Sequence, residues 1–211
     1  MRGMGIVRRA IKTEEFDYGS LMWALSSYKK PRDALSRFID NDSIVRVKKG
    51  LYVFGEDWRR GIICKESLAN LIYGPSYLSL EYALSYYGLI PERVEQITSM
   101  TSLRSKLFHT PLGVFAYVHL NPEKMAVGVT SVKVDRYHEF LIATPEKALA
   151  DRISSHKNLT SKEEVYAFVC EGLRIDEEAL SQLELSLLIK VAEVYRNPAV
   201  TQLAHLVKEL K

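Results

Sequence analysis

The sequence predicts an α+β protein: an N-terminal winged helix-turn-helix in residues 1–60, then a mixed α+β domain in residues 61–211 with a small antiparallel sheet and a helical tail. Three observations predict it. Residues 31–54, PRDALSRFIDNDSIVRVKKGLYVF, run from a short helix with basic outward positions into two β-like segments joined by a basic tip. Strand-like runs then fill residues 94–143 between helical stretches on either side, the order of an α+β domain. Charge also divides the chain. Residues 1–65 hold 14 Lys and Arg against 8 Asp and Glu, net +6, whereas residues 66–211 hold 15 against 18, net −3.

Taken in order, Phe16, Leu21, Met22 and Leu25 predict a helix over residues 17–27, with Trp23 as a packing residue. Ser26 to Lys30 is the turn. Pro31 suits the first position of the next helix, where its missing N–H would be unpaired anyway. Leu35, Phe38 and Ile39 follow at i, i+3 and i+4, an apolar stripe that leaves Arg32, Asp33, Ser36 and Arg37 on the other faces. Asn41 and Asp42 end it. Residues 44–48 alternate in part between apolar and basic, Leu51 to Phe54 is β-rich, and Lys49-Gly50 is a tight hairpin connection.

A helix carrying Ile62, Ile63, Leu68, Leu71 and Ile72 comes next and stops at Gly74-Pro75; another begins at Ser79 as N-cap. Four strands are predicted at residues 97–101, 112–120, 126–134 and 139–143. Thr144-Pro145-Glu146 opens a further helix with an N-cap, a first-turn proline and an early carboxylate. Thr160 or Ser161 caps the next, residues 177–196 read as one amphipathic helix, and residues 199–210 as a terminal one.

The composition narrows the function classes. With 47% apolar and 26% charged residues the chain is globular rather than disordered. No apolar run approaches a membrane span, and the basic N-terminus has no apolar stretch behind it, so the expectation is a cytoplasmic protein without a secretory leader. Cys64 and Cys170 stand alone and fit reduced core thiols. His109, His119, His138, His156 and His205 lack metal-ligand spacing, so no metal and no other cofactor is expected. There is no GxSxG elbow, no phosphate loop and no GxGxxG, and enzyme activity has no support. Glu146 reads as a first-turn charge favoured by the helix dipole, and Asp151 as part of an ion pair with Lys147 and Arg152. Tyr73, Tyr77, Tyr82, Tyr86 and Tyr87 read as core with hydroxyls at its rim rather than a stacking surface for bases.

The chemistry that remains is phosphate-facing. Lys29, Lys30, Arg32 and Arg37 cluster at the turn and helix, and Arg46, Lys48 and Lys49 on the hairpin. In a helix-turn-helix the second helix enters the major groove. Arg32, Ser36 and Arg37 would then lie nearest the base edges, while Lys29, Lys30, Lys48 and Lys49 would hold phosphates and the wing would reach an adjacent minor groove. The same pattern also fits an ordinary surface unit with a solvated basic face. On that alternative the chain is a protein-interaction module that docks a partner on its acidic C-terminal helices without specific DNA binding.

Three elements carry a resemblance to a family: the wing Arg46-Val47-Lys48-Lys49-Gly50-Leu51-Tyr52, the segment Ser79-Leu80-Glu81-Tyr82-Ala83-Leu84 through Gly88-Leu89, and the helix from Thr144 to Asp151. In this order, over residues 15–205, the chain resembles the AbiEi family of antitoxins from type IV toxin–antitoxin systems. The resemblance implies a transcriptional autorepressor whose winged helix binds double-stranded DNA at inverted repeats in its own promoter. It also implies a C-terminal domain that counters a nucleotidyltransferase-like toxin without a stable complex. The region ahead of the helix-turn-helix is short, so its first helix is expected to be abbreviated or to begin within residues 6–15.

Overall fold

The computed structural model describes residues 2–156 and 158–211. Its first unit runs α1 (Arg2–Ala10), β1 (Glu15–Asp17), α2 (Tyr18–Ala24), α3 (Pro31–Asp40), β2 (Ile44–Lys48) and β3 (Leu51–Phe54). β3 lies between β1 and β2, antiparallel to both. Helices α1 to α3 close over this sheet on a core of Met4, Val7, Ile11, Phe16, Leu21, Leu25, Ala34, Leu35, Ile44, Tyr52 and Phe54. α1 begins earlier than residue 6, and β1, a strand the sequence did not predict, takes Phe16 and overlaps the expected 17–27 helix at Asp17. Phe16 is a core residue because it stacks on Tyr52 and Phe54 from a strand, not because it heads a helix.

Trp23 corrects the reading of α2. Its ring is 71% exposed, because the buried side of this short helix is filled by Leu21 and Ala24. Asp17 caps the helix by accepting the Ser20 amide at 2.6 Å, and that bond holds its carboxyl below the usual range.

The second unit continues through α4 (Lys65–Ile72), β4 (Ser76–Leu78), α5 (Leu80–Tyr86), β5 (Ile97–Thr101), β6 (Lys106–Thr110), β7 (Gly113–His119), β8 (Val129–Lys133) and β9 (Glu139–Ala143). Then come α6 (Pro145–Ser154), α7 (Lys162–Tyr166) running on as a π-helix through Gly172, α8 (Glu177–Ser181), α9 (Leu185–Tyr195) and α10 (Pro198–Glu209). The sheet is neither four-stranded nor wholly antiparallel. Six strands lie in the order β6-β7-β5-β4-β9-β8, with β5 parallel to β7 and β4 parallel to β9. Period-two alternation sets which face a residue occupies; it does not choose a strand's neighbour or direction. The three-residue β4 is also too short to show alternation, and it is embedded in a helix-like run.

Residues 177–196 form two helices rather than one. The break follows from Glu146: its carboxylate accepts the Glu184 amide at 2.7 Å and so fixes the start of α9, a role beyond that of a charge in its own first turn. Ile62, expected on the buried side of α4, precedes the helix and is 90% exposed.

The two units share the hairpin. Ile44, Tyr52 and Phe54 face the first core, while Val47, Leu51 and Val53 join the large second one. Gly55 ends β3 where a Cβ would fall 1.7 Å from the Asp42 carbonyl oxygen. Gly55→Ala is therefore expected to push the two chain segments apart and cost about 1–3 kcal/mol, as overpacking does, read as a lower urea midpoint with unchanged m-value.

Candidate nucleic-acid interface

α3 carries the basic and hydroxyl side chains that the sequence singles out, and it shows one buried and one exposed side. Ala34 and Leu35 are buried on its inner side, with Phe38 and Ile39 packed beside them. Arg32, Asp33, Ser36, Arg37 and Asp40 are all exposed. At 3.6 residues per turn these five fall within an arc of about 140°. They form one continuous polar face. Lys30 precedes the helix without a side-chain cap, and the Ala34 amide closes on its carbonyl at 3.2 Å.

The structure brings Arg32, Ser36 and Arg37 together on that face and adds two residues that the sequence reading did not assign, Asp33 and Asp40. The i, i+4 spacing of Asp33 with Arg37 and of Ser36 with Asp40 was the signal that places them there. Their charges cancel those of Arg32 and Arg37, so the excess positive charge of this surface comes from its margins. Lys29 and Lys30 stand exposed at the turn, and Arg46 and Lys49 on the hairpin. The Lys30–Asp33 pair, 3.8 Å apart with both side chains largely in water, adds little stability. The Ser36 hydroxyl donates to the Arg32 carbonyl at 3.3 Å, a bond it can exchange for an external acceptor.

Lys48 stands apart from this set. Its ammonium donates to the Ile72 carbonyl at the C-terminal end of α4, where a cation complements the helix dipole. Burial and the nearby Lys106 ammonium lower its pKa. A register shift between Arg46 and Lys48 turns its side chain toward the second unit. The neighbouring Gly50 takes φ +88°, and its carbonyl accepts the Tyr18 amide at 3.0 Å, so the hairpin tip is tied to the start of α2. The hairpin is thus braced from both sides and presents Arg46 and Lys49.

Arg8 is likewise internal. Only 3% exposed, it spans the Glu14 carboxylate, the Ile11 carbonyl at 2.9 Å and the Trp58 carbonyl at 3.0 Å. Two of the fourteen basic residues of the first 65 are therefore spent on structure.

A second polar cluster lies in the core of the other unit. Asp151 accepts the Tyr77 hydroxyl at 3.0 Å, the Ser79 hydroxyl at 2.6 Å and the Tyr195 hydroxyl. Lys147 lies 3.5 Å from Asp151 and donates to the Lys124 carbonyl at 2.5 Å and to Tyr195. Lys147 and Asp151 form the expected pair, fully buried, while Arg152 pairs with Glu81 instead. Burial raises the Asp151 pKa and lowers that of Lys147, each pushed toward its neutral form. The tyrosine group divides: Tyr77 is core, Tyr82 donates to Glu66 at 2.5 Å, and Tyr86 is 45% exposed. Burial pushes the Cys64 thiol up to about 11, so it stays protonated at neutral pH.

No family model matches the chain, and no curated protein does. Among solved structures, the RV2827C protein from Mycobacterium tuberculosis is similar, with a TM-score of 0.51 and 15% identity over 99% of this chain and 80% of that one. At that identity the likeness is one of fold, a mixture of helices and sheets. No helix among the described residues is long and apolar enough to cross a membrane.

Proposed function

We propose that residues 1–60 form a winged helix-turn-helix that binds duplex DNA, and that the chain is a transcriptional autorepressor and the antitoxin of a type IV toxin–antitoxin pair. The observation that carries the DNA reading is the face of α3. Its apolar side is seated on the first core, while Arg32, Ser36 and Arg37 project from the opposite side into solvent. The element order helix, strand, helix, helix, strand, strand, with the first strand paired to the last, supports the same reading.

In this mechanism α3 enters the major groove. Arg32 and Arg37 address guanine acceptors, Asp33 is placed to accept from the cytosine amino group, and Lys29, Lys30 and Lys49 hold phosphates. Lys48 braces the wing rather than the DNA. The protein acts by occupying its promoter, without catalysis or cofactor, in the cytoplasm. Its second unit opposes a nucleotidyltransferase-like toxin without a lasting complex, a role that rests on the AbiEi-like elements at Ser79–Leu89 and Thr144–Asp151.

The test is fluorescence anisotropy of the full chain on its own promoter fragment and on a scrambled duplex, across a salt series. Lys49→Ala is expected to weaken binding to both duplexes and to reduce the slope of log K against log salt by about one unit. Equal binding to the two duplexes at every salt would overturn specific recognition. A second reading, a protein-interaction module, is favoured by the groove between α9 and α10. Leu185, Ala192 and Ala204 line it, and Ile189 stands 44% exposed. Absence of DNA binding together with capture of a partner by that groove would favour it.

A further inference from the structure

His138 closes the turn between β8 and β9, and both of its ring nitrogens face carboxylates. Nδ1 lies 2.7 Å from Asp135 Oδ2 in its own turn, and Nε2 lies 2.9 Å from Glu15 Oε2 on β1 of the first unit, 123 residues away. Asp135 builds the turn itself by accepting the Tyr137 and His138 amides at 2.6 and 2.8 Å. The side chains of His138 and Glu15 are 9% and 3% exposed.

An ionised carboxylate can only accept a hydrogen bond, so only the imidazolium satisfies both contacts at once. A neutral ring would set a lone pair against one carboxylate in a buried site. Among the described residues the Glu15 carboxylate has no other partner: its second oxygen, Oε1, is buried without one. The Cys64 thiol, at the start of α4, is the further titratable group facing Glu15, and it stays protonated at neutral pH. Burial pulls the His138 pKa down, but the bonds and charges of Asp135 and Glu15 outweigh it, and the net shift is upward. A raised histidine pKa makes the contact complete below the ordinary value of about 6.5 and weakens it as pH climbs through the folded-state value.

We propose that protonated His138 is a latch that pins β1 against the second domain, a proton-dependent contact added to the permanent one made by the shared hairpin. The consequence for DNA rests on the reading above: the unit that carries α3 is held more firmly while the latch is charged than after the proton leaves. The latch itself stands without that reading.

The test uses the full chain. Ring NMR of wild type locates the His138 titration. Amide exchange, corrected for the intrinsic rate, then gives protection of Glu15–Asp17 and of α10 over the same pH range. His138 is expected to titrate above its ordinary value, and β1 protection to fall by up to about tenfold for each pH unit of that shift while α10 stays constant. Glu15→Gln should bring the titration down, and His138→Gln should leave β1 protection low and independent of pH. Protection of β1 that ignores pH in wild type, or that keeps the wild-type response in His138→Gln, overturns the latch. A variant that loses its fold does not decide the matter, because the contrast between β1 and α10 in wild type already does. Promoter affinity followed in parallel should fall over the same window in wild type and stay flat in His138→Gln. If no DNA binds at any pH, the DNA reading fails and the exchange data still decide the latch.

Discussion

Asp151→Ala is expected to lower the unfolding free energy by about 3–5 kcal/mol, a large fraction of the roughly 5–15 kcal/mol that holds a typical domain folded. The carboxylate holds three hydroxyls, those of Tyr77, Ser79 and Tyr195, and faces the buried ammonium of Lys147 at 3.5 Å. Removing it strands a buried ammonium and three buried donors together. Ser79 is also the hinge between β4 and α5, and the next residue, Leu80, sits at φ +57°. A bulky side chain rarely occupies that left-handed region, which costs energy that neighbouring contacts must offset. The Ser79–Asp151 bond is one such contact. Urea unfolding followed by circular dichroism checks the figure. A cycle with Lys147→Met should show strong coupling, the double variant losing much less than the sum of the two single ones, because the ammonium and the carboxylate are then removed together.

Arg37→Ala is expected to weaken binding to the promoter by about 1–3 kcal/mol, roughly 5- to 150-fold, with a far smaller loss on scrambled duplex. The guanidinium is exposed on the polar face of α3 and forms no ion pair among the described residues, so its removal leaves the fold intact. Competition binding with operator variants should show the relaxed preference confined to one base pair. A uniform loss across sequences would instead make Arg37 a phosphate contact and would move base reading to Arg32 and Asp33.

Much of this architecture is legible in local pattern. Pro31 and the Leu35, Phe38, Ile39 stripe set α3 over Pro31–Asp40, and Thr144 with Pro145 sets the start of α6, where the Thr144 hydroxyl accepts the Lys147 amide. These features depend on neighbours within one turn of helix. What could not be read is set by contacts distant in sequence. Lys48 looks like any basic hairpin residue until α4 offers the Ile72 carbonyl. Asp151 reads as one member of an ion pair with Lys147 and Arg152 until the fold brings the hydroxyls of Tyr77, Ser79 and Tyr195 to it, and Trp23 looks apolar enough to bury until Leu21 fills the space. The candidate interface was legible because it lies on one short segment. The link from Glu15 to His138 was not, because it joins the two ends of a long separation.

The position of Trp23 has an optical consequence. The chain holds two tryptophans, and the other, Trp58, is half-buried against the first core, whereas tyrosines are spread through the second. Indole emission therefore reports on the first sixty residues alone, while helix ellipticity is dominated by the remainder. A melt in which the two signals part company would reveal two cooperative blocks, and one in which they coincide would reveal a single block.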